Sequence, residues 1–255
     1  MSDFLLETAF LTHGLASMGN EDILARWPWR GAHLVWVEKG EIRRGAITEY
    51  LPVRDRAREL IRIDRDMLAG VLDRGGDGVL TASGTMEAAR RLGVPVAVTA
   101  GMGGVSDIAG ETTCPDLPAL AELNITLIAT SPKDVVDINA SIAWLLERGV
   151  TVLGRFTDSC SGFMFTGDPI PLSGRWKAGE APPPHTLLLQ EIRREERLAD
   201  TAILPKAKQA GRNAQARGEE FHPAANAEID RLSGGRSSRL QLASFIENGL
   251  WAESL

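Results

Sequence analysis

The chain has 255 residues, 44% hydrophobic and 24% charged, with a formal net charge of -6. That length and balance suit one soluble enzyme-sized chain with a substantial core and argue against nucleic acid as a partner. Two cysteines, Cys114 and Cys160, are too few for a disulfide framework and suit a reducing cytoplasm, and no apolar stretch reaches the roughly 18 residues that span a bilayer.

Residues 4–11 form an apolar, strand-like segment that carries Glu7, with His13 just beyond it. A carboxylate there lies at the strand's end or is buried with a raised pKa, the state a proton donor needs at neutral pH; the alternative is an ion pair with an arginine at the core edge. As a lone histidine, His13 is a pocket candidate only. Apolar, β-branched runs at 33–37, 78–82, 95–100, 125–130 and 150–153 predict strands buried on both faces. Between them, 66–73, 85–92, 116–123 and 134–148 have helical spacing, with Gly93 and Gly149 as stops. This alternation predicts βαβ units and an α/β fold, a three-layer α/β/α sandwich, with residues 1–172 as its core in a single domain spanning 1–255.

The turn Gly101-Met102-Gly103-Gly104 follows the predicted strand at 95–100. Glycine removes the Cβ obstruction and permits positive φ, so backbone amides there can approach an anion or a sugar closely. The spacing is not that of the dinucleotide fingerprint. Asp116, after Pro115, is a helix-start residue by its position. Lys133 follows the apolar run 124–129 and precedes a helix, which places it at the carboxyl edge of a buried strand, where a partly desolvated amine can attack a carbonyl carbon.

After residue 172 the texture changes. Residues 173–184 are rich in Gly and Pro and read as a linker or surface loop; 186–202 carry mixed charges at helical spacing, a solvated helix face; 206–220 are polar and partly mobile. Residues 173–223 are thus a linker and polar helical region. Residues 224–255 are helical again, broken at Gly234-Gly235, and expected to pack back on the core.

Three segments flank Lys133 in a telling order: Leu5-Leu6-Glu7-Thr8-Ala9-Phe10-Leu11-Thr12-His13-Gly14-Leu15, Val98-Thr99-Ala100-Gly101-Met102-Gly103-Gly104-Val105, and Leu232-Ser233-Gly234-Gly235 with the helix through Asn248. Together they resemble the pseudouridine-5′-phosphate glycosidase family, which includes the indigoidine-synthase-A-like proteins. The likeness covers most of the chain, clearly to about residue 160. It implies a mixed central sheet, a homotrimer, and a C-glycosidase that reversibly splits a pseudouridine-type C-nucleoside or its 5′-phosphate into base and ribose or ribose 5-phosphate. By the same resemblance Lys133 forms an imine with the ring-opened sugar, Glu7 serves as acid and base, and Asp116 binds an exchangeable Mn2+ mostly through water. Ser83, Gly103, Gly104, Ser106, Asn248 and His13 are the binding candidates the resemblance implies.

Two departures matter. Arg62 stands where the family has a second active-site lysine; it keeps the charge and loses any acid/base duty, since its pKa is above about 12. Ser106-Asp107 replace a family His-Arg pair, so Asp107 is expected to repel a phosphate, with Arg62 and Arg65 as the cations able to compensate. Two further readings follow, an enzyme of an unphosphorylated or different nucleoside and a degenerate nucleoside-binding or accessory protein. In each the partner is a small molecule, with no nucleic acid and no membrane.

Overall fold

The computed structural model describes residues 3–108, 112–180, 182–183 and 185–255. Strand β1 (Phe4–Leu6) is followed by α1 (Thr8–His13), α2 (Asn20–Leu24) and a hairpin of β2 (Leu34–Glu38) and β3 (Glu41–Gly45). Next come α3 (Ile47–Arg54), β4 (Ile61–Ile63), α4 (Arg65–Asp73), β5 (Gly78–Leu80), α5 (Ala82–Leu92) and β6 (Val96–Val98). The middle of the chain supplies β7 (Gly101–Met102), α6 (Asp116–Glu122), β8 (Thr126–Ala129), β9 (Ser131–Pro132), α7 (Ile138–Glu147) and β10 (Thr151–Gly154). The remainder holds β11 (Ser159–Cys160), β12 (Ile170–Pro171), β13 (Gly174–Arg175), β14 (Thr186–Leu189), α8 (Ile203–Gln215), α9 (Phe221–Leu232) and α10 (Arg236–Glu253).

Ten strands make one sheet in the order β13-β10-β14-β8-β6-β1-β2-β5-β4, with β3 on β2. β2 pairs antiparallel with β3 and β5, and the other neighbours run parallel, so the sheet is mixed. Strand alternation sorts the core into two layers. Phe4, Leu6, Leu34, Trp36, Val96 and Val98 face one side, under Tyr50 of α3 and Leu242, Phe245 and Trp251 of α10. Leu5, Val35, Ala97 and Leu127 face the other, under Leu68 of α4, Met86 of α5, Leu120 of α6 and Leu145 of α7. The result is the α/β/α sandwich, and no helix among the described residues is long and apolar enough to cross a membrane.

Three segments differ from the expectations. Residues 4–11 are a three-residue strand followed by a helix, because Glu7 ends the ladder and starts α1. Residues 186–202 hold no long helix: Thr186–Leu189 is a fully buried strand between β10 and β8, and the charged run after it forms only a 3-10 turn at Arg194–Glu196. One threonine and three leucines, all buried, suffice for a central parallel strand. Residues 206–220, read as partly mobile, lie mostly in α8, which packs against α9 by burying Ala207, Gly211 and Ala214. Of the stretch read as a loop at 173–184, residues 181 and 184 lie outside the described residues, and Gly174–Arg175 forms an edge strand on β10.

Helix α10 packs on β1, β6 and β8. Its Asn248, fully buried, donates from Nδ2 to the Thr99 carbonyl at 2.8 Å and to Thr130 Oγ1 at 3.1 Å, tying together the residues that follow β6 and β8. Asn248→Ala removes both bonds and leaves a buried carbonyl without its donor, so urea denaturation should show a loss of about 2–3 kcal/mol. A loss below about 0.5 kcal/mol would mean that water replaces the amide.

Candidate active site

The site forms where strand direction changes. β5 runs against β2, which brings its end beside the end of β1. Thr8 joins the three: its Oγ1 donates to the Val35 carbonyl at 2.6 Å and accepts from the Leu80 amide at 3.1 Å. Over this junction opens a cavity of about 660 Å³ whose walls include Glu7, Arg62, Asp64, Ser83, Gly101, Gly103, Asp116, Lys133, Glu220 and His222. A small adjoining recess shares Glu7, Arg62, Gly101, Lys133 and His222 and adds His13 and Asn226.

Glu7 is 5% exposed, and Thr99 Oγ1 donates to its Oε2. Burial pushes its pKa from 4.5 up to about 7, against the opposing pull of the Lys133 ammonium and the Thr99 hydroxyl. A carboxyl with that pKa gives or takes a proton at neutral pH. Lys133 is held by its backbone: its amide donates to the Met102 carbonyl at 2.9 Å, and parallel pairing of β7 with β9 lays 131–132 beside 101–102. A Cβ on Gly101 would lie 2.7 Å from the Phe163 ring and 3.1 Å from Lys133 Cγ, so the lysine stem and the ring meet over a bare glycine.

Asp116 opens α6 and points back into the protein. Its Oδ1 accepts from the Ser83 amide and its Oδ2 from the Gly103 amide, each at 2.8 Å, so one carboxylate fixes both the start of α5 and the glycine turn. Close approach is what demands glycine there: a Cβ on Gly103 would meet Cys114 Sγ at 2.1 Å and one on Gly104 would meet Ser141 Oγ at 2.2 Å. Positive φ, the other expected reason, does not occur at Gly101, Gly103 or Gly104. For a metal, Asp116 keeps a second lone pair on each oxygen. No group of three or more His, Cys, Asp or Glu that could hold a metal occurs among the described residues. Such a donor set fits only a hard cation that keeps most of its waters, and not zinc.

Of the residues expected from sequence, Glu7, Arg62, Ser83, Gly103, Asp116 and Lys133 line the main cavity, and His13 lines the recess, where its Nε2 donates to the Ala57 carbonyl at 3.0 Å. Burial pulls the His13 pKa below its ordinary value. Gly104, Ser106 and Asn248 are not among the lining residues; Asn248 acts through the strand ends, and Ser106 Oγ accepts from the Ile108 amide. Asp107 does not face the cavity as expected: it is exposed and paired with Arg212 of α8 at 2.9 Å. Its charge is met by Arg212 at the surface and is not turned on a phosphate in the cavity. Arg65 is likewise drawn away, to Glu122 at 2.5 Å, whereas Arg62 reaches the cavity and donates from Nη1 to Glu220 at 2.7 Å.

Sequence reasoning missed Thr99, Glu220 and His222. Thr99 was legible as a hydroxyl at a strand end beside Glu7's strand. Glu220 and His222 come from the α8–α9 junction, about 90 residues beyond Lys133, and no local pattern links them to it.

A curated pseudouridine-5′-phosphate glycosidase from Methylobacterium nodulans is 30% identical over 184 residues, covering 69% of this chain and 55% of that protein. The chain thus spans about half the length of that relative. Among solved structures, an indigoidine synthase A-like protein from Thermotoga maritima superposes with a TM-score of 0.80 at 20% identity, covering 96% of this chain and 89% of the other. The prealnumycin C-glycosynthase in complex with ribulose 5-phosphate superposes at 0.75 and 22% identity, covering 99% and 90%. At those identities both likenesses speak to the fold. The profile of the indigoidine synthase A like protein family matches residues 5–181, well over half of the sequence, and the chain belongs to that family.

Proposed function

We propose that this protein reversibly cleaves the carbon-carbon bond between C1′ and the base of a pseudouridine-type C-nucleoside 5′-phosphate, through an imine on Lys133. The observation that carries the reading is the convergence of Lys133 and a Glu7 that titrates near neutrality on one cavity. The matched relative's name and the sugar phosphate in the C-glycosynthase structure support the substrate class.

A C-glycosidic bond offers no heteroatom to protonate, so a pair of carboxylates alone does not break it. In this reading Glu7 gives a proton to the ring oxygen as the furanose opens, and the Lys133 amine bonds to C1′. The nitrogen lone pair then completes C1′=N while the carbon-carbon electron pair leaves with the base, which takes up a proton. Water hydrolyses the imine to the sugar aldehyde and free lysine. Asp116 would hold a hydrated Mn2+, which would supply polarisation of water and substrate oxygens. The family resemblance further supports a homotrimer acting in the cytoplasm on a diffusible substrate.

Borohydride added with ribose 5-phosphate should fix one sugar-sized mass on the peptide containing Lys133, and Lys133→Ala should abolish it. Labelling of a different lysine would sink the assignment.

Glu7 supplies a pH test. Its folded pKa of about 7 lies above the ordinary 4.5, so between those values the folded protein binds more protons than the unfolded chain, and stability falls as pH rises through the window. Glutamine does not titrate. Glu7→Gln should therefore gain on the wild type by up to about 3 kcal/mol between pH 5 and pH 8 in urea denaturation, while kcat drops by about 10²–10⁴. A stability difference that is flat with pH would show that Glu7 stays ionised.

In this reading the Arg62 guanidinium, which lines the cavity, takes the 5′-phosphate in competition with Glu220. Glu220→Gln should lower KM for pseudouridine 5′-phosphate by about three- to tenfold and leave KM for pseudouridine unchanged. Equal effects on both substrates would place the phosphate elsewhere.

A further inference from the structure

Beside the proposed nucleophile lies a carboxylate that the mechanism does not use. Asp134 Oδ1 accepts from the Phe163 amide at 3.0 Å and its Oδ2 from the Met164 amide at 2.8 Å. The turn it holds, 161–165, has further partners. Glu191 accepts from the Ser161 amide and hydroxyl, at 2.5 and 2.9 Å, and the Leu198 amide donates to the Met164 carbonyl at 2.8 Å. Buried Arg197 donates to the Phe165 carbonyl at 3.3 Å and pairs with Glu191. Gly162 makes the bend possible at φ +125°. What this clamp presents is the Phe163 ring, fully buried, whose edge converges with Lys133 Cγ on the face of Gly101.

We infer that Asp134 is a positioning residue for Lys133: by fixing the 161–165 turn it sets the Phe163 ring as the wall along which the lysine stem reaches the cavity. The inference rests on the reading of Lys133 as nucleophile. The Phe163 and Met164 amides meet different oxygens of the carboxylate, and in asparagine one of those two positions becomes an NH2 group, a donor facing a donor. Without these two bonds the turn keeps those to Glu191, Arg197 and Leu198, but the ring can shift off Gly101, and the aliphatic stem samples rotamers that carry its nitrogen away from the reacting carbon. Nucleophilic attack depends steeply on such placement. The effect passes through the ring, so Asp134 and Phe163 act as one unit.

The test uses the full chain with Asp134→Asn, Phe163→Ala, Phe163→Leu and the Asp134→Asn/Phe163→Ala double variant, read in two ways. Borohydride capture of ribose 5-phosphate at Lys133 should slow about tenfold in Asp134→Asn and in Phe163→Ala, stay within about threefold of wild type in Phe163→Leu, and slow no further than about twofold beyond the slower single variant in the double. Reductive methylation with formaldehyde, which needs no turnover, should move the opposite way: Lys133 labelling relative to the exposed Lys177 should rise at least about threefold in both single variants. Unchanged labelling, or losses that multiply in the double variant, overturns the inference. If the wild type captures no sugar while methylation of Lys133 responds as stated, the nucleophile reading fails and the positioning role stands. Phe163→Ala leaves the backbone bonds to Asp134 in place, so the wall is tested even if Asp134→Asn does not fold.

Discussion

A carboxyl group carried into the middle of the sheet is the constraint around which the site is built. β1 lies between β6 and β2, with apolar neighbours on both faces, so the residue that follows it emerges with almost no water around it. An ionised glutamate there would need strong compensation, and the Thr99 hydroxyl and the Lys133 charge only partly provide it. The remaining cost appears as affinity for a proton. Burial, ordinarily a reason to exclude glutamate, here raises its affinity for a proton into the neutral range.

Asp116 solves the opposite problem. Its two oxygens meet two backbone amides that would otherwise be buried donors, at the start of α5 and in the glycine turn. Because Gly103 has no Cβ, the turn lies against Cys114 and the carboxylate at once. The same contacts make Asp116 a structural clasp at the wall of the cavity, which accounts for its place at the start of α6.

Much of this was legible in the sequence, and the rest was lost for physical reasons. The runs at 78–82, 95–100 and 125–130 announce strands because both their faces are buried, and Gly93 ends α5 in the left-handed conformation its position foretells. β14 was hidden because only three leucines after a threonine precede a charged run, and local periodicity weighed the charges over the leucines. Residues 8–11 were apolar enough for strand or helix, and only the end of the ladder at Glu7 decides. In the site, Glu7, Lys133 and Asp116 could be named because each sits next to a recognisable element boundary. The orientation of Asp107 could not, since it depends on Arg212, 105 residues away. Asp134 was read as a helix start, and its partners are backbone amides, which leave no trace in a residue pattern.

The placement of β14 governs the order in which the molecule can assemble. It separates β8 from β10, although those two strands are made well before it on the chain. Until Thr186–Leu189 arrives, the sheet has a gap with unpaired edges on both sides, and a direct β8–β10 pairing would be a registered but wrong neighbour. Non-local parallel pairing is slow, and exposed strand edges invite association with other chains. During synthesis the first half of the sandwich can close around β1, β2, β5 and β6 while this slot stays open. The native ladder from β8 to β10 exists only once this short strand, late in the sequence, is in place.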